Sequence, residues 1–400
     1  MTSAVYEDFA RAYLTEVAAA ARRMFACGPE AVGLLRKATV AEGTRVRAFG
    51  NGGSSAIVRS ILLQIHDHAG LPVNDAMMSP AAMAYGVQRQ DYRTVFAHSL
   101  ARDIDQVGLV VVASVSGRSA NILEVVRLCG SHRVPVLAVV GGDGTQMEPV
   151  DGMVWATGTA DQQISEDAML TALTWATASA LAPHEEPPAA GQERALHALA
   201  AIDVPLLAGF LREATEAVAD AIRSRRRIYV LCPDGGPLAL AGEHFAHNLS
   251  WDAPLGVEDV RPPLVVCDPS LADMSAIYND HPDPAHGARH RLSSAQPQDV
   301  VFLLAYDSAD RTSQEAVRAA AAAGTRLFLL HRDGPALPGP GQAFTLPQAD
   351  DFTQAALVQS AAHLLCRTTR ATLAAGPSPV DLMAQDLAPL RELSNAPHSL

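Results

Sequence analysis

Lysine is nearly absent from this chain of 400 residues: Lys37 is the single one, and every other basic residue is arginine. A catalytic ammonium is therefore confined to one position, in an N-terminal helical stretch. Cysteine is sparse as well. Cys27, Cys129, Cys232, Cys267 and Cys366 stand far apart with no CxxC pair, which excludes a zinc ribbon and a disulfide framework and points to reduced, unreactive thiols. Aromatic residues make up only 5%, and no apolar run reaches the roughly 20 residues of a membrane span, so no membrane partner is expected. The opening residues Met1 to Asp8 lack the basic and apolar regions of a secretion signal, and the expected compartment is the cytoplasm. Positive charge is short too. Lys and Arg total 30 against 43 Asp and Glu, a formal net charge of -13, which argues against nucleic acid as the main partner. There is no G-K-[S/T] loop and no G-x-S-x-G elbow, and Gly50-Asn51-Gly52 lacks the third glycine of a dinucleotide turn because Ser55 stands there. Nucleotide hydrolysis, esterase chemistry and dinucleotide binding lose their usual signatures.

What is present is an alternating pattern. With 48% hydrophobic and 18% charged residues, the length suits two domains with proper cores. Residues 3–42 have helical apolar spacing, divided into two helices by Gly28-Pro29. Strands are then expected at 45–49, 72–74, 108–113, 134–140 and 153–156, separated by segments of helical length. Such alternation implies a parallel sheet covered on both faces, with ligands at the carboxyl ends of the strands. Residues 183–191, Pro-His-Glu-Glu-Pro-Pro-Ala-Ala-Gly, have linker composition, which sets domains at 1–182 and 192–376 and leaves 377–400 as a tail. After the linker the pattern restarts: a helix near 203–225, a strand at 227–231, Asp234-Gly235-Gly236 and a helix, then a strand at 299–305 and another helix. The chain thus reads as a tandem repeat of one α/β unit.

Two turns in the first copy carry chemistry. Asn51, Gly52, Gly53, Ser54 and Ser55 follow the first strand, and Ser114, Ser116, Gly117 and Ser119 follow a later one. Glycines bring backbone N–H groups close to an anion, while hydroxyls and helix N-termini add donors and a favourable dipole. Hydroxyls packed so densely are costly to hide without partners, so a phosphate group is the expected ligand.

These turns, the segment from Asp91 to Phe96 and the SxSGxSxN pattern resemble the sugar isomerase (SIS) domain family, and residues 6–181 look specifically like its phosphoheptose isomerase branch. The resemblance implies two tandem SIS-type doubly wound domains, a sugar phosphate as ligand and aldose/ketose isomerisation through an enediol. It also implies a homodimer or an internal pseudo-dimer. The family's four metal or acid/base positions read Ser60, Gln64, Ser165 and Leu173 here, so the phosphate grip is retained without the original chemistry. Tandem SIS arrangements also occur in the isomerase half of glucosamine 6-phosphate synthase, whose lysine-dependent ring opening has no counterpart. The second copy has Asp307-Ser308-Ala309-Asp310 in place of the serine loop and Pro237 and Leu238 after its glycines, which disfavours phosphate.

That second copy does supply histidines. His244 resembles the family's histidine position, with Asn248 four residues on, and the late helix offers Gln354, Gln359 and His363. His244 and His363 are the expected acid/base groups, with Glu166 of the first copy as the available carboxylate and the pocket composed across the two copies. The alternative is a non-catalytic phosphosugar-binding protein with decayed chemistry. No cofactor is expected, and no metal. His66-Asp67-His68 reads as a solvated helix end, and His281, Asp283, His286 and His290 lack a supporting shell.

Overall fold

The computed structural model describes residues 2–41, 44–70, 83, 87–88, 91–147, 151–182, 188–257, 260–267, 285–334 and 342–374. Contacts divide the chain into two units, Val17–His197 and a second that joins Met1–Glu16 to Ala198–Leu400. The first 16 residues therefore pack with the C-terminal unit, which departs from the expected limits of 1–182 and 192–376. The reason is aromatic. Tyr6, Phe9 and Tyr13 line one face of the opening helix and are buried, and the Arg367 guanidinium lies 5.2 Å from the centre of the Tyr13 ring.

That helix, α1 (Ser3–Val40), runs unbroken with Pro29 inside it, so the expected division at Gly28-Pro29 is corrected to one helix. A proline forfeits its own N–H bond, and tertiary packing outweighs the loss here. Phe25 meets Trp175 edge-on at 5.0 Å, and a side chain at Gly28 would bring its Cβ within 2.3 Å of the same indole.

The N-terminal unit holds a parallel sheet of β1 (Arg45–Gly50), β2 (Val107–Ser114), β3 (Val136–Val140) and β4 (Gly152–Ala156), in that order. The expected strand at 72–74 lies outside the described residues. Its helices are α2 (Gly53–Ala69), α3 (Val95–Leu100), α4 (Ala120–His132), α5 (Gln162–Leu181) and α6 (Pro188–Ala200). Phe49, Val110, Val112, Val136 and Ala138 alternate onto one face of the sheet and pack under α3 and α4 through Phe96, Leu100, Ile122 and Val125. Helices α2 and α5 pair on the other face. Both faces being covered explains why β2 reads as an almost continuous apolar run. The expected linker 183–191 is also revised: residues 183–187 are outside the described set, and 188–191 open α6.

The C-terminal unit repeats the arrangement. Strands β5 (Arg227–Leu231), β6 (Leu264–Val266), β7 (Val300–Asp307), β8 (Arg326–Asp333) and β9 (Gln342–Thr345) form a parallel sheet in the order β6-β5-β7-β8-β9. Its helices are α7 (Val204–Arg223), α8 (Gly236–Trp251), α9 (Ala285–Leu292), α10 (Arg311–Ala323) and α11 (Asp351–Leu373). Helices α9 and α10 cover Tyr229, Val301, Leu303 and Leu329 on one face, while α7, α8 and α11 pack together. Each unit thus runs strand, glycine turn, helix; strand, turn, helix; two strands and a late buried helix. The chain is an α/β fold of tandem domains. The tail 377–400 lies outside the described residues.

Candidate functional site

Strands β1 and β2 are neighbours, so the turns leaving their carboxyl ends lie side by side, where open parallel sheets bind ligands. The first turn is tight. A Cβ on Gly50 would stand 2.5 Å from the Ser54 carbonyl oxygen, so only glycine lets the chain double back into α2. Gly52 and Gly117 take left-handed φ of 51° and 63°.

The two turns are tied together. Asn51 Nδ2 donates to Asn121 Oδ1 at 3.0 Å and Asn121 Nδ2 donates back to Asn51 Oδ1 at 2.9 Å, while the Tyr92 hydroxyl donates to the same Asn51 oxygen at 2.8 Å. Around this brace sit the hydroxyls. Ser114 Oγ and Ser119 Oγ are 3.2 Å apart, and Ser116 Oγ accepts from the Arg118 N–H. Ser54 and Ser114 are buried, whereas Gly52 and Ser116 are exposed, so donors stand behind a solvent-facing lip. Neither helix that starts here is capped: Gly52 before α2 and Ser119 before α4 make no side-chain cap hydrogen bond. Uncapped first turns leave N–H groups and a positive helix end for an anion.

All nine residues expected to bind phosphate therefore come to one end of two adjacent strands. Asn51 has a different emphasis from the expected one, because its oxygen and one N–H are committed to Asn121 and Tyr92; it is chiefly a brace. Asn121 stood in the SxSGxSxN pattern and Tyr92 in the segment after Asp91, yet neither could be assigned a partner from spacing alone. At the rim Glu124 accepts from Arg93 at 2.7 Å and from Arg127 at 2.9 Å, and the Arg93 bond holds its carboxyl below the usual range.

The four positions where the family has metal or acid/base groups are sealed between α2 and α5. Ser60, Gln64, Ser165 and Leu173 are all buried. Gln64 Nε2 donates to the Thr174 carbonyl, and Ser165 Oγ lies within 3.1 Å of Thr157 Oγ1 and donates to the Thr159 carbonyl. This donor set of two hydroxyls, an amide and an alkyl group does not fit a catalytic metal, and no step is derived through one. Glu166, next along α5, is buried as well. His66 and His68 end α2 in solvent, with His68 Nδ1 3.1 Å from the Gln64 carbonyl; His281 and Asp283 lie outside the described residues.

In the C-terminal unit the equivalent turns hold their own anions. Asp310 caps α10 by accepting from the Thr312 and Ser313 N–H groups, Asp307 accepts from Ala309, and Asp234, which occupies the place of Asn51, accepts from the Tyr306 N–H at 2.7 Å. Arg332 fills the space between, bonded to Asp333 and Asp351 and lying 5.2 Å from the centre of the Tyr306 ring. Burial, reinforced by Asp310, Asp307 and Asp351, raises the Asp234 pKa above the ordinary carboxylate value. A carboxylate thus occupies the first-turn N–H groups of α10, while α8, like α2, starts without a side-chain cap.

The same unit buries its imidazoles. His244 on α8 and His363 on α11 are 2% and 0% exposed, with ring centres 5.1 Å apart and planes at 82°. His244 Nδ1 is 2.9 Å from Gln359 Oε1. Gln354 on α11 is 0% exposed, and among the described residues neither of its amide atoms has a hydrogen-bond partner. Such a group in a folded chain marks a place where a polar ligand or water belongs.

Residues 6–141 match the family model described as the SIS domain. Over nearly the whole length the fold is similar to the C-terminal domain of glucosamine-fructose-6-phosphate aminotransferase from Francisella tularensis, with TM-score 0.55 and 14% identity, covering 88% of this chain and 95% of that one. The N-terminal region resembles phosphoheptose isomerase. It is 29% identical over 157 residues to the Rhodospirillum rubrum enzyme of that name, covering 36% of this chain and 80% of the relative. A phosphoheptose isomerase structure from Francisella tularensis is 23% identical, covering 45% of this chain and 98% of that one with TM-score 0.38.

Proposed function

We propose that this protein binds a sugar phosphate at the paired turns of its N-terminal unit and interconverts the aldose and ketose forms in the cytoplasm. The observation that carries the reading is the pair of uncapped helix starts at α2 and α4, braced to each other by Asn51 and Asn121 and lined by Ser54, Ser55, Ser114, Ser116 and Ser119. Backbone N–H groups of Gly52, Gly53 and Gly117 and the serine hydroxyls grip the dianionic ester. An imidazole then takes the proton from the carbon beside the carbonyl, giving an enediol, and a proton returns to the former carbonyl carbon while the hydroxyl proton crosses to the other oxygen. His244 and His363 are the acid/base pair, and Glu166 is the assisting carboxylate. The name of the Rhodospirillum rubrum relative makes a heptose phosphate the first substrate to test.

A second reading, a phosphosugar-binding protein without turnover, is favoured by one observation: Ser60, Gln64, Ser165 and Leu173 are built into the α2–α5 packing rather than toward a ligand. Incubation with five- to seven-carbon sugar phosphates in deuterated water separates the two. Deuterium at C1 or C2, lost in His244→Ala and His363→Ala with binding retained, supports catalysis; binding without deuterium entry supports the binding protein. Loss of binding in Ser116→Ala is expected under both, and intact binding there refutes the site.

A further inference from the structure

A cavity lies at the amino end of the C-terminal sheet. It opens against the amino ends of β5 and β6, beneath the last turn of α9, and its volume of about 350 Å³ is within the range of small-molecule pockets. Its lining is lopsided in charge. Arg227, His290 and Arg291 face it together with the hydroxyls of Ser293 and Ser294, while Tyr229, Leu264 and Val266 supply an apolar floor. Among the described residues no carboxylate lines it, in a chain whose acids outnumber its lysines and arginines 43 to 30. Asp299, just before β7, is buried and turned to the backbone, accepting from the N–H groups of Arg227 and Gln296 at 3.1 and 2.8 Å. The Arg227 Nη1 is held before any ligand arrives, sharing its two protons among the Ser294 carbonyl at 3.0 Å, the Ser294 hydroxyl at 3.2 Å and the Tyr229 hydroxyl at 3.4 Å.

We infer that this cavity binds a small organic anion, its oxyanion head on Arg227, Arg291 and the Ser294 hydroxyl and its apolar body on Tyr229, Leu264 and Val266. A guanidinium fixed in this way loses little freedom on binding, which favours affinity from few contacts. Leu264 is 60% exposed, so an occupant would also shield apolar surface at the edge of the sheet. The site shares no residue with the N-terminal turns and stands apart from the function proposed above.

Calorimetric titration with phenyl phosphate, benzoate and inorganic phosphate tests it. Phenyl phosphate and benzoate are expected to bind, and Arg227→Gln and Arg291→Gln are each expected to weaken them about tenfold, as for a lost charge-assisted hydrogen bond. Val266→Asp, which places a carboxylate in the floor and leaves both arginines in place, is expected to abolish binding while the melting temperature reports that the fold is kept. Inorganic phosphate, with no apolar body, is expected to bind this site more weakly than phenyl phosphate. Ser116→Ala is expected to leave phenyl phosphate and benzoate binding intact. Failure of the native protein to bind either organic anion, affinity unchanged in all three cavity variants, or loss of binding in Ser116→Ala alone would each overturn the assignment.

Discussion

Replacing Asn51 by alanine removes the clasp between the two phosphate turns, and its cost follows from the hydrogen bonds counted there. Two reciprocal amide bonds are lost together with the acceptor of the Tyr92 hydroxyl, and the Asn121 amide, 0% exposed, keeps no replacement partner for its Nδ2. At about 1 kcal/mol for each amide bond plus the penalty of a stranded buried group, the loss is about 2–4 kcal/mol. In a unit of this size that corresponds to a fall of about 5–10 °C in Tm. Asn121→Ala is the milder change, because the half-buried Asn51 it leaves behind regains water; about 1–2 kcal/mol is expected. Asn51→Asp separates brace from charge. Its carboxylate still accepts from Asn121 and Tyr92, but at about 5 Å from a bound ester and an effective dielectric of about 20 each phosphate charge is repelled by about 3 kcal/mol, more than a hundredfold in affinity. Urea unfolding followed by circular dichroism and calorimetric titration of a sugar phosphate measure the two effects. Equal stability of Asn51→Ala and the native chain, or phosphate affinity of Asn51→Asp within threefold of native, would refute the reasoning.

Three further outcomes follow from packing and titration. Gly28→Leu drives a side chain into the Trp175 indole, so it is expected to destabilise the N-terminal unit by about 2–3 kcal/mol through overpacking, measured by urea unfolding; an unchanged midpoint contradicts the close approach at 2.3 Å. Burial pushes the Cys129 thiol up to about 12 and the Cys366 thiol well above its ordinary value, whereas Cys27 is exposed, so native-state alkylation at pH 8 read by mass spectrometry labels Cys27 and spares Cys129 and Cys366. The raised pKa of Asp234 means that the folded chain holds this proton more tightly than the unfolded one. Its contribution to stability is greatest below the ordinary carboxylate pKa and declines as pH rises through the raised value. Asp234→Asn, which keeps an acceptor for the Tyr306 N–H, is therefore expected to raise Tm by a few degrees at pH 7 and little at pH 3.5.

The strand ends were legible because their letters are local. Val107–Ser114 and Val300–Asp307 announce themselves as buried parallel strands by continuous apolar residues, and the glycines and serines that follow have few other uses. The helix break at Gly28-Pro29 was misleading, since a proline's local penalty is small beside the Phe25 and Trp175 packing that spans the helix. Arg332 gave no signal at all. It is an ordinary arginine in the chain, and only the return of β8 and α11 to the same sheet end sets it among Asp333, Asp351 and Tyr306. The cavity at Arg227 was equally silent, because its lining comes from three separate stretches of sequence.

By itself the sequence determined the alternation of strands and helices, the α/β fold in tandem domains and the places of the glycine and serine turns at the strand ends, since each depends on residues within a few positions of one another. Tertiary structure alone decided that Asn51 serves Asn121 and Tyr92, that the first 16 residues belong with the C-terminal unit, and that Asp234 meets the Tyr306 N–H. Those are contacts between residues tens of positions apart or more, and the physical terms that select them, burial and hydrogen-bond satisfaction, have values only once the sheets have brought the strand ends together.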